Sequence, residues 1–281
     1  MNTRDIINIF NKYDIYTPPN KTNIKISSLG GITNTNFKVE MEEKAYVLRV
    51  PGDNPDLISR EAEKYNHELI MDTEISLPFI IFDEDTGIKI SEFYENLYTF
   101  TAKDMKNKKY RNDALNLLLK LHDLDLNFKN NFSPLGAYEK LALLEDRTEH
   151  EVKEIAEAVI FKLYDIGLES KPCHQDLYHA NFVYKNDKPY LIDWEYSSQG
   201  DPYFDFADFI WQNELNENSE IINDIYKVIG VSNKSNEQKM KLFSILSMIT
   251  WGLWAKRRAY QSSRGQETLR LAIKMYEDNF L

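Results

Sequence analysis

The sequence predicts an α+β fold in two unequal lobes: a small antiparallel-sheet lobe with one helix over residues 1–92, and a larger, mainly helical lobe carrying a β-hairpin over 93–281. Three observations carry this expectation. From Ile24 to Val50 and again from Leu77 to Phe93, apolar residues alternate with polar ones between turn residues, the two-residue period of half-buried strands. Beyond Tyr94 the apolar spacing lengthens toward the helical period of about 3.6 residues. Inside that helical part, Asn181-Phe182-Val183-Tyr184 and Tyr190-Leu191-Ile192-Asp193 flank the polar turn Asn186-Asp187-Lys188, which reads as a hairpin.

Taken in chain order, Ile24 to Ile26, Ile32 to Val39 and Ala45 to Val50 form a strand meander, broken by Gly30-Gly31 and by Glu42-Glu43-Lys44. A helix follows from Leu57 to Met71, with Ile58, Ala62, Tyr65 and Leu69 as its apolar stripe. Two more strands, Leu77 to Phe82 and Ile88 to Phe93, flank the turn residues Asp83 to Gly87. Ser91 to Glu95 is the expected hinge. Helical periods then cover Arg111 to Leu124, Ala137 to Glu145, Glu151 to Leu168, Asn218 to Ile229, Glu237 to Tyr260 and Glu267 to Asn279.

Composition removes several function classes. With 15 Phe, 17 Tyr and 4 Trp in 281 residues, the chain can bury enough ring surface to offset its ordering entropy, so it is a folded globule. A formal charge of −11 argues against a dedicated DNA or RNA binder, which gains affinity by neutralising phosphates. A cationic partner suits it better. The lone Cys173 makes no internal disulfide or thiolate cluster, and Met1 to Asp14 lacks the continuous apolar segment of a signal peptide or anchor. A cytoplasmic protein with no membrane contact is expected.

The chemistry concentrates in His174-Gln175-Asp176-Leu177-Tyr178-His179-Ala180-Asn181, which fits the H-x-D-x-x-x-x-N catalytic loop of kinases at every defined position. In phosphoryl transfer one carboxylate accepts the proton of the attacking hydroxyl, the role expected of Asp176. An amide oxygen a loop-turn later, Asn181, and a second carboxylate at the strand end, Asp193, are then expected to hold magnesium against the phosphates of ATP. His174 is expected to orient the loop. Upstream, the small polar turn from Ser28 to Asn36, with Asn34 in it, offers backbone amides to phosphate. Arg49 stands in a strand where its guanidinium can grip phosphate oxygens bidentately, held by Glu61 or, as second choice, Glu63.

The chain lacks G-x-G-x-x-G, V-A-I-K, D-F-G and A-P-E, so it is not an ordinary protein kinase. It resembles instead the choline/ethanolamine kinases of the aminoglycoside phosphotransferase and protein-kinase-like superfamily. The likeness runs through Gly31-Ile32-Thr33-Asn34-Thr35-Asn36-Phe37, Arg49, the 174–181 loop, Ile192-Asp193-Trp194-Glu195-Tyr196, Gly200-Asp201-Pro202 with Asp205, and Trp251-Gly252-Leu253-Trp254.

That resemblance implies a two-lobed kinase-like fold and an ATP- and Mg-dependent transfer of the γ-phosphoryl group to choline. It implies adenine near Glu92 and Phe93, Glu195 close to the ion or substrate, and a choline site lined by Tyr196, Trp251 and Trp254, with Trp211 and Tyr260 as weaker members. A quaternary ammonium donates no hydrogen bond and is held by ring faces, and the spacing of Trp251 and Trp254 puts both on one helical face. Gln212, with Glu214 beyond it, stands where eukaryotic members carry a glutamate near the cation. An aminoglycoside phosphotransferase, or a kinase for ethanolamine or thiamine, is the alternative activity; a nucleotide-binding pseudokinase is the alternative without one.

Overall fold

The computed structural model describes residues 2–15, 24–31, 33–52, 57–142, 146–258 and 261–281; Ile32, Glu145 and Tyr260 therefore lie outside the described residues. Helix α1 (Thr3–Lys12) opens the chain, started by a reciprocal cap in which Asn2 and Asp5 each accept the other's backbone N–H. It lays Ile6, Ile7 and Phe10 on a five-stranded antiparallel sheet, where they meet Ile24, Val39, Met41, Tyr46, Leu48 and Ile90. The sheet runs β1 (Ile24–Gly30), β2 (Asn34–Met41), β3 (Lys44–Pro51), β4 (Ile81–Phe82) and β5 (Lys89–Glu92), in the order β1-β2-β3-β5-β4. Helix α1 is an addition to the single helix expected here. Its buried residues Ile6, Ile7 and Phe10 do stand one turn apart, so the helical period is present in the sequence but spans only ten residues.

Helix α2 (Arg60–Ile70) forms where the sequence places it, started by Ser59, whose side chain accepts the Ala62 N–H. Its inward face, however, is Ala62, Glu63, Asn66, His67 and Ile70, while Tyr65 stays exposed, so the stripe expected through Tyr65 and Leu69 is rotated. Polar partners set that phase. Asn66 donates to the carbonyls of Lys129 (3.1 Å) and Ser197 (3.0 Å) and accepts the Lys129 N–H (2.7 Å), and His67 bonds the Leu77 carbonyl at 2.9 Å. Neutral imidazole is favoured there, because burial holds His67 down to about 3. The rotation corrects the choice of acid: Glu63, fully buried, reaches Arg49 on β3 at 2.5 Å, whereas Glu61 points to solvent and pairs with Lys129.

The remaining elements are β6 (Leu97–Thr99), α3 (Ala102–Lys106), α4 (Lys108–His122), α5 (Pro134–Leu141), α6 (Arg147–Ile166), β7 (Lys171–Cys173), β8 (Phe182–Lys185), β9 (Lys188–Leu191), β10 (Ser198–Gly200), α7 (Pro202–Gln212), α8 (Ser219–Ile229), α9 (Lys234–Lys256) and α10 (Ser262–Phe280). The expected hairpin is β8–β9, with Asn186 and Asp187 both at positive φ, the backbone of a two-residue primed turn. Strand β6 pairs with β8, and β7 with β10. Helix α7 was not legible as a period, yet Asp201 caps it through the Tyr203 N–H and Pro202 starts it. Helix α9 is buried nearly all round, against α5, α6, α7 and α10, and even its Lys239 is buried, ion-paired with Asp201 at 2.7 Å. Among the described residues no helix is long and apolar enough to cross a membrane.

Two outcomes are expected. A Cβ on Gly265 of α10 would sit 2.3 Å from the Lys256 backbone nitrogen, so Gly265→Ala should force α9 and α10 apart and cost about 1–3 kcal/mol in urea unfolding. Glu63→Gln, which leaves buried cations short of a partner, should cost about 3–5 kcal/mol in the same assay, while Glu61→Gln should stay within about 0.5 kcal/mol. Equal losses in the two glutamate variants would refute the helix phase.

Candidate active site

Strand β7 delivers the chain into the His174–Asn181 loop, and α7 holds that loop by its backbone. Asp205 accepts the N–H groups of His174 (3.0 Å) and Gln175 (2.9 Å), and Asp208 accepts that of Leu177 (2.8 Å). Gln175 sits at φ 68°, the left-handed region, which the loop needs in order to turn both amides toward one carboxylate. His174 is fully buried: its Nε2 donates to the Ile192 carbonyl at 3.0 Å, its Nδ1 accepts the Asp176 N–H at 3.3 Å, and burial lowers its pKa. It orients the loop, tying it to the end of the hairpin. His122, Cys173 and Asp205 also bring ligating atoms together, but the Asp205 oxygens are already committed to His122 and the two loop amides.

Asp176 carries one donor on each oxygen, Gln212 Nε2 at 3.0 Å and Asn181 Nδ2 at 3.1 Å. Burial, reinforced by the charges of Asp208 and Asp193, pushes its pKa up to about 7. Such a carboxylate is a stronger proton acceptor than a solvated one. Asn181 also donates to the Asp176 backbone carbonyl (2.9 Å), which leaves its amide oxygen as the free acceptor. The Ile192 N–H meets the Asn181 carbonyl at 3.0 Å, so the β8–β9 ladder puts Asn181 and Asp193 at the same open end of the hairpin. Asp193 stands at φ 65°. An amide oxygen and a carboxylate are hard oxygen donors, and they fit magnesium.

Arg49 joins the sheet to this end of the hairpin, with Nη1 at 2.5 Å from Glu63 and 3.3 Å from Asp193. Glu63 is shared with Arg60 (2.7 Å) and Lys89 (3.4 Å); burial works to raise its pKa, but these cations hold it well below the usual carboxylate range. The Nε and Nη2 of Arg49 are buried with no partner among the described residues, an edge of the guanidinium suited to phosphate oxygens. Asn34 donates to Glu195 at 2.7 Å, so its side chain braces that acid. Burial and Asp193 push Glu195 up to about 7. A Cβ on Gly31 would lie 2.0 Å from the Asn34 carbonyl oxygen, so only glycine allows the β1–β2 turn to fold this closely. Glu92 is exposed at the end of β5, and the Phe93 N–H is held by the Ala45 carbonyl at 2.9 Å.

Tyr196, Trp251 and Trp254 do converge. Tyr196 lies edge-on to Trp251 with ring centres 5.0 Å apart, Trp251 lies edge-on to Trp254 at 6.0 Å, and the Trp254 Nε1 donates to the Tyr196 hydroxyl at 3.1 Å. Phe132 completes the wall, stacked on Trp251 at 5.9 Å. Nothing in the sequence pointed to Phe132, which arrives from a loop before α5. Trp211 is half-buried on α7 and makes no ring contact among the described residues; Glu214 is exposed. Arg258 lays its guanidinium 3.5 Å from the Trp254 ring centre, a cation already drawn to this wall.

The family model described as choline/ethanolamine kinase matches residues 26–227 of this chain. Protein LicA of Haemophilus influenzae is 27% identical over 250 residues, 83% of this chain and 73% of its own. Among solved structures, choline kinase LicA from Streptococcus pneumoniae superposes with a TM-score of 0.83 at 25% identity, covering 98% of this chain and 99% of its own. LicA in complex with AMP gives 0.81 at 25% identity, with 98% of both chains covered. A loop pinned by α7, a hairpin ending in Asn181 and Asp193, and a family match across 202 of 281 residues lead to one conclusion: the chain belongs to the choline/ethanolamine kinase family.

Proposed function

We propose that this chain is an ATP- and magnesium-dependent choline kinase, which transfers the γ-phosphoryl group to the choline hydroxyl and releases phosphocholine and ADP. One observation carries the reading: the half-buried carboxylate of Asp176 shares its surroundings with an oxygen-donor pair, Asn181 and Asp193, and connects through hydrogen bonds to a wall of four aromatic rings. Asp176 takes the hydroxyl proton as the choline oxygen forms its bond to the γ-phosphorus, and the bond from that phosphorus to the β-phosphate oxygen breaks. Gln212 and Asn181 keep both oxygens of the base in place. Asn181 and Asp193 would hold magnesium, which when bound neutralises phosphate charge. Arg49, kept in position by Glu63, meets phosphate with its unpartnered edge.

Residues 1–92 cover the nucleotide in this reading, and 93–281 hold the acceptor alcohol. Adenine lies beside Glu92 and Phe93, using backbone groups other than the Phe93 N–H, which Ala45 already holds. Glu195, braced by Asn34, supports the phosphate end. Tyr196, Trp251, Trp254 and Phe132 receive the trimethylammonium group, with Trp211 outside that wall. A cytoplasmic setting supplies the ATP. An aminoglycoside, with many hydrogen-bonding ammonium groups, would be served by acids rather than by ring faces.

Coupled ADP release with choline, ethanolamine, thiamine and kanamycin tests the assignment, and no choline-dependent signal would sink it. Asp176→Ala should lower kcat by about 10²–10⁴-fold with the fold intact by circular dichroism; near-normal turnover would remove Asp176 from the mechanism. Trp251→Ala and Trp254→Ala should each raise the choline KM by about 5- to 30-fold, the worth of a desolvated cation–π contact, with the ATP KM little changed. Unchanged choline KM in both would dissolve the aromatic site.

A further inference from the structure

Asp208 is fully buried, and both of its oxygens are saturated by donors. Oδ1 accepts from the Ser247 hydroxyl (2.5 Å) and the Trp251 indole N–H (2.9 Å); Oδ2 accepts from the Leu177 N–H (2.8 Å) and Gln212 Nε2 (2.9 Å). Among the described residues no Lys, Arg or His pairs with it. Four donors stabilise the ionised form, and although burial raises its pKa to about 6 the group is still mainly an anion above neutrality. Buried charges are ordinarily paired. This one bonds the indole N–H of Trp251, one of the four rings of the aromatic wall.

We propose that Asp208 is a specificity and positioning residue: through Trp251 it supplies the fixed negative charge that selects a cationic alcohol, and through Gln212 it holds the base Asp176. The inference rests on the choline-kinase reading and deepens it. A carboxylate bonded to an indole N–H pushes electron density toward the ring, which strengthens the pull of the ring face on an ammonium group. The charge acts at short range through low-dielectric contacts, where it is little screened. Gln212 then has a reason to be an amide. Its Nε2 gives one hydrogen to Asp176 and one to Asp208, joining two carboxylates that would otherwise repel. A glutamate at 212 would add a third anion and remove both donors.

The test compares choline with 3,3-dimethyl-1-butanol, which has the same hydroxyl and shape but a carbon in place of the nitrogen, as alternative substrate or as competitive ligand. Asp208→Asn should cut the preference for choline over the neutral alcohol by about tenfold, with the ATP KM within about twofold of the parent enzyme. Trp251→Phe, which keeps a ring and loses the N–H, should reduce the same ratio several-fold, and the double variant should lose less than the two singles together. Equal losses for both alcohols, or an unchanged ratio in Trp251→Phe, would overturn the inference; the latter decides even if Asp208→Asn fails to fold. An enzyme that phosphorylates neither alcohol overturns the choline reading itself, whereas a choline preference retained by both variants overturns only the role of Asp208.

Discussion

The site depends on one constraint: a loop that must turn sharply exposes backbone amides to a dry interior, and those amides need acceptors. Helix α7 provides two, Asp205 and Asp208, on neighbouring positions of one helical face. Their grip fixes where His174 to Leu177 run, and with them the position of the Asp176 side chain. Charge-assisted bonds from N–H to carboxylate are among the stronger ones in proteins, so the loop resists deformation although it belongs to no strand or helix. Helix α7 is in turn tied to α9 at its N-cap, by Lys239 with Asp201, and past its middle, by Ser247 and Trp251 with Asp208.

A second linkage crosses from the sheet. One nitrogen of Arg49, Nη1, reaches both Glu63 of α2 and Asp193 at the hairpin end, so β3, α2 and the hairpin share one guanidinium. Three cations and three acids meet there. Burial works to raise the pKa of both glutamates; Glu63, surrounded by Arg49, Arg60 and Lys89, is nevertheless held ionised, whereas Glu195, next to Asp193 and 3.5 Å from Arg60, is pushed toward the neutral form.

Local spacing made the convergence of Asp176, Asn181 and Asp193 legible from sequence, because a short pinned loop and a two-residue hairpin leave little freedom between them. The two-lobed α+β architecture was legible because strand-like alternation dominates before Tyr94 and the helical period dominates after it. Helix phase was not. Choosing Glu61 over Glu63 follows from counting apolar residues on α2, whereas the true inward face is set by Asn66 and His67 finding partners at Lys129, Ser197 and Leu77. Phe132 and Asp208 were invisible for the same physical cause, since each matters through a residue more than thirty positions away. Trp211 shows the converse: a tryptophan inside a motif-rich segment that the helix turns away from the other rings.

The hairpin turn at Asn186 and Asp187 carries a consequence for how this protein can vary. Both residues lie in left-handed backbone, and the strands they join are flanked at their far end by Asn181, just before β8, and Asp193, just after β9. Inserting or deleting one residue at the tip would slide one strand past the other and flip its side chains to the opposite face. The loop tip is exposed, where length changes are usually harmless, yet its length is tied to the placement of Asn181 and Asp193 at the opposite end. Relatives should therefore tolerate substitutions at the tip but not indels.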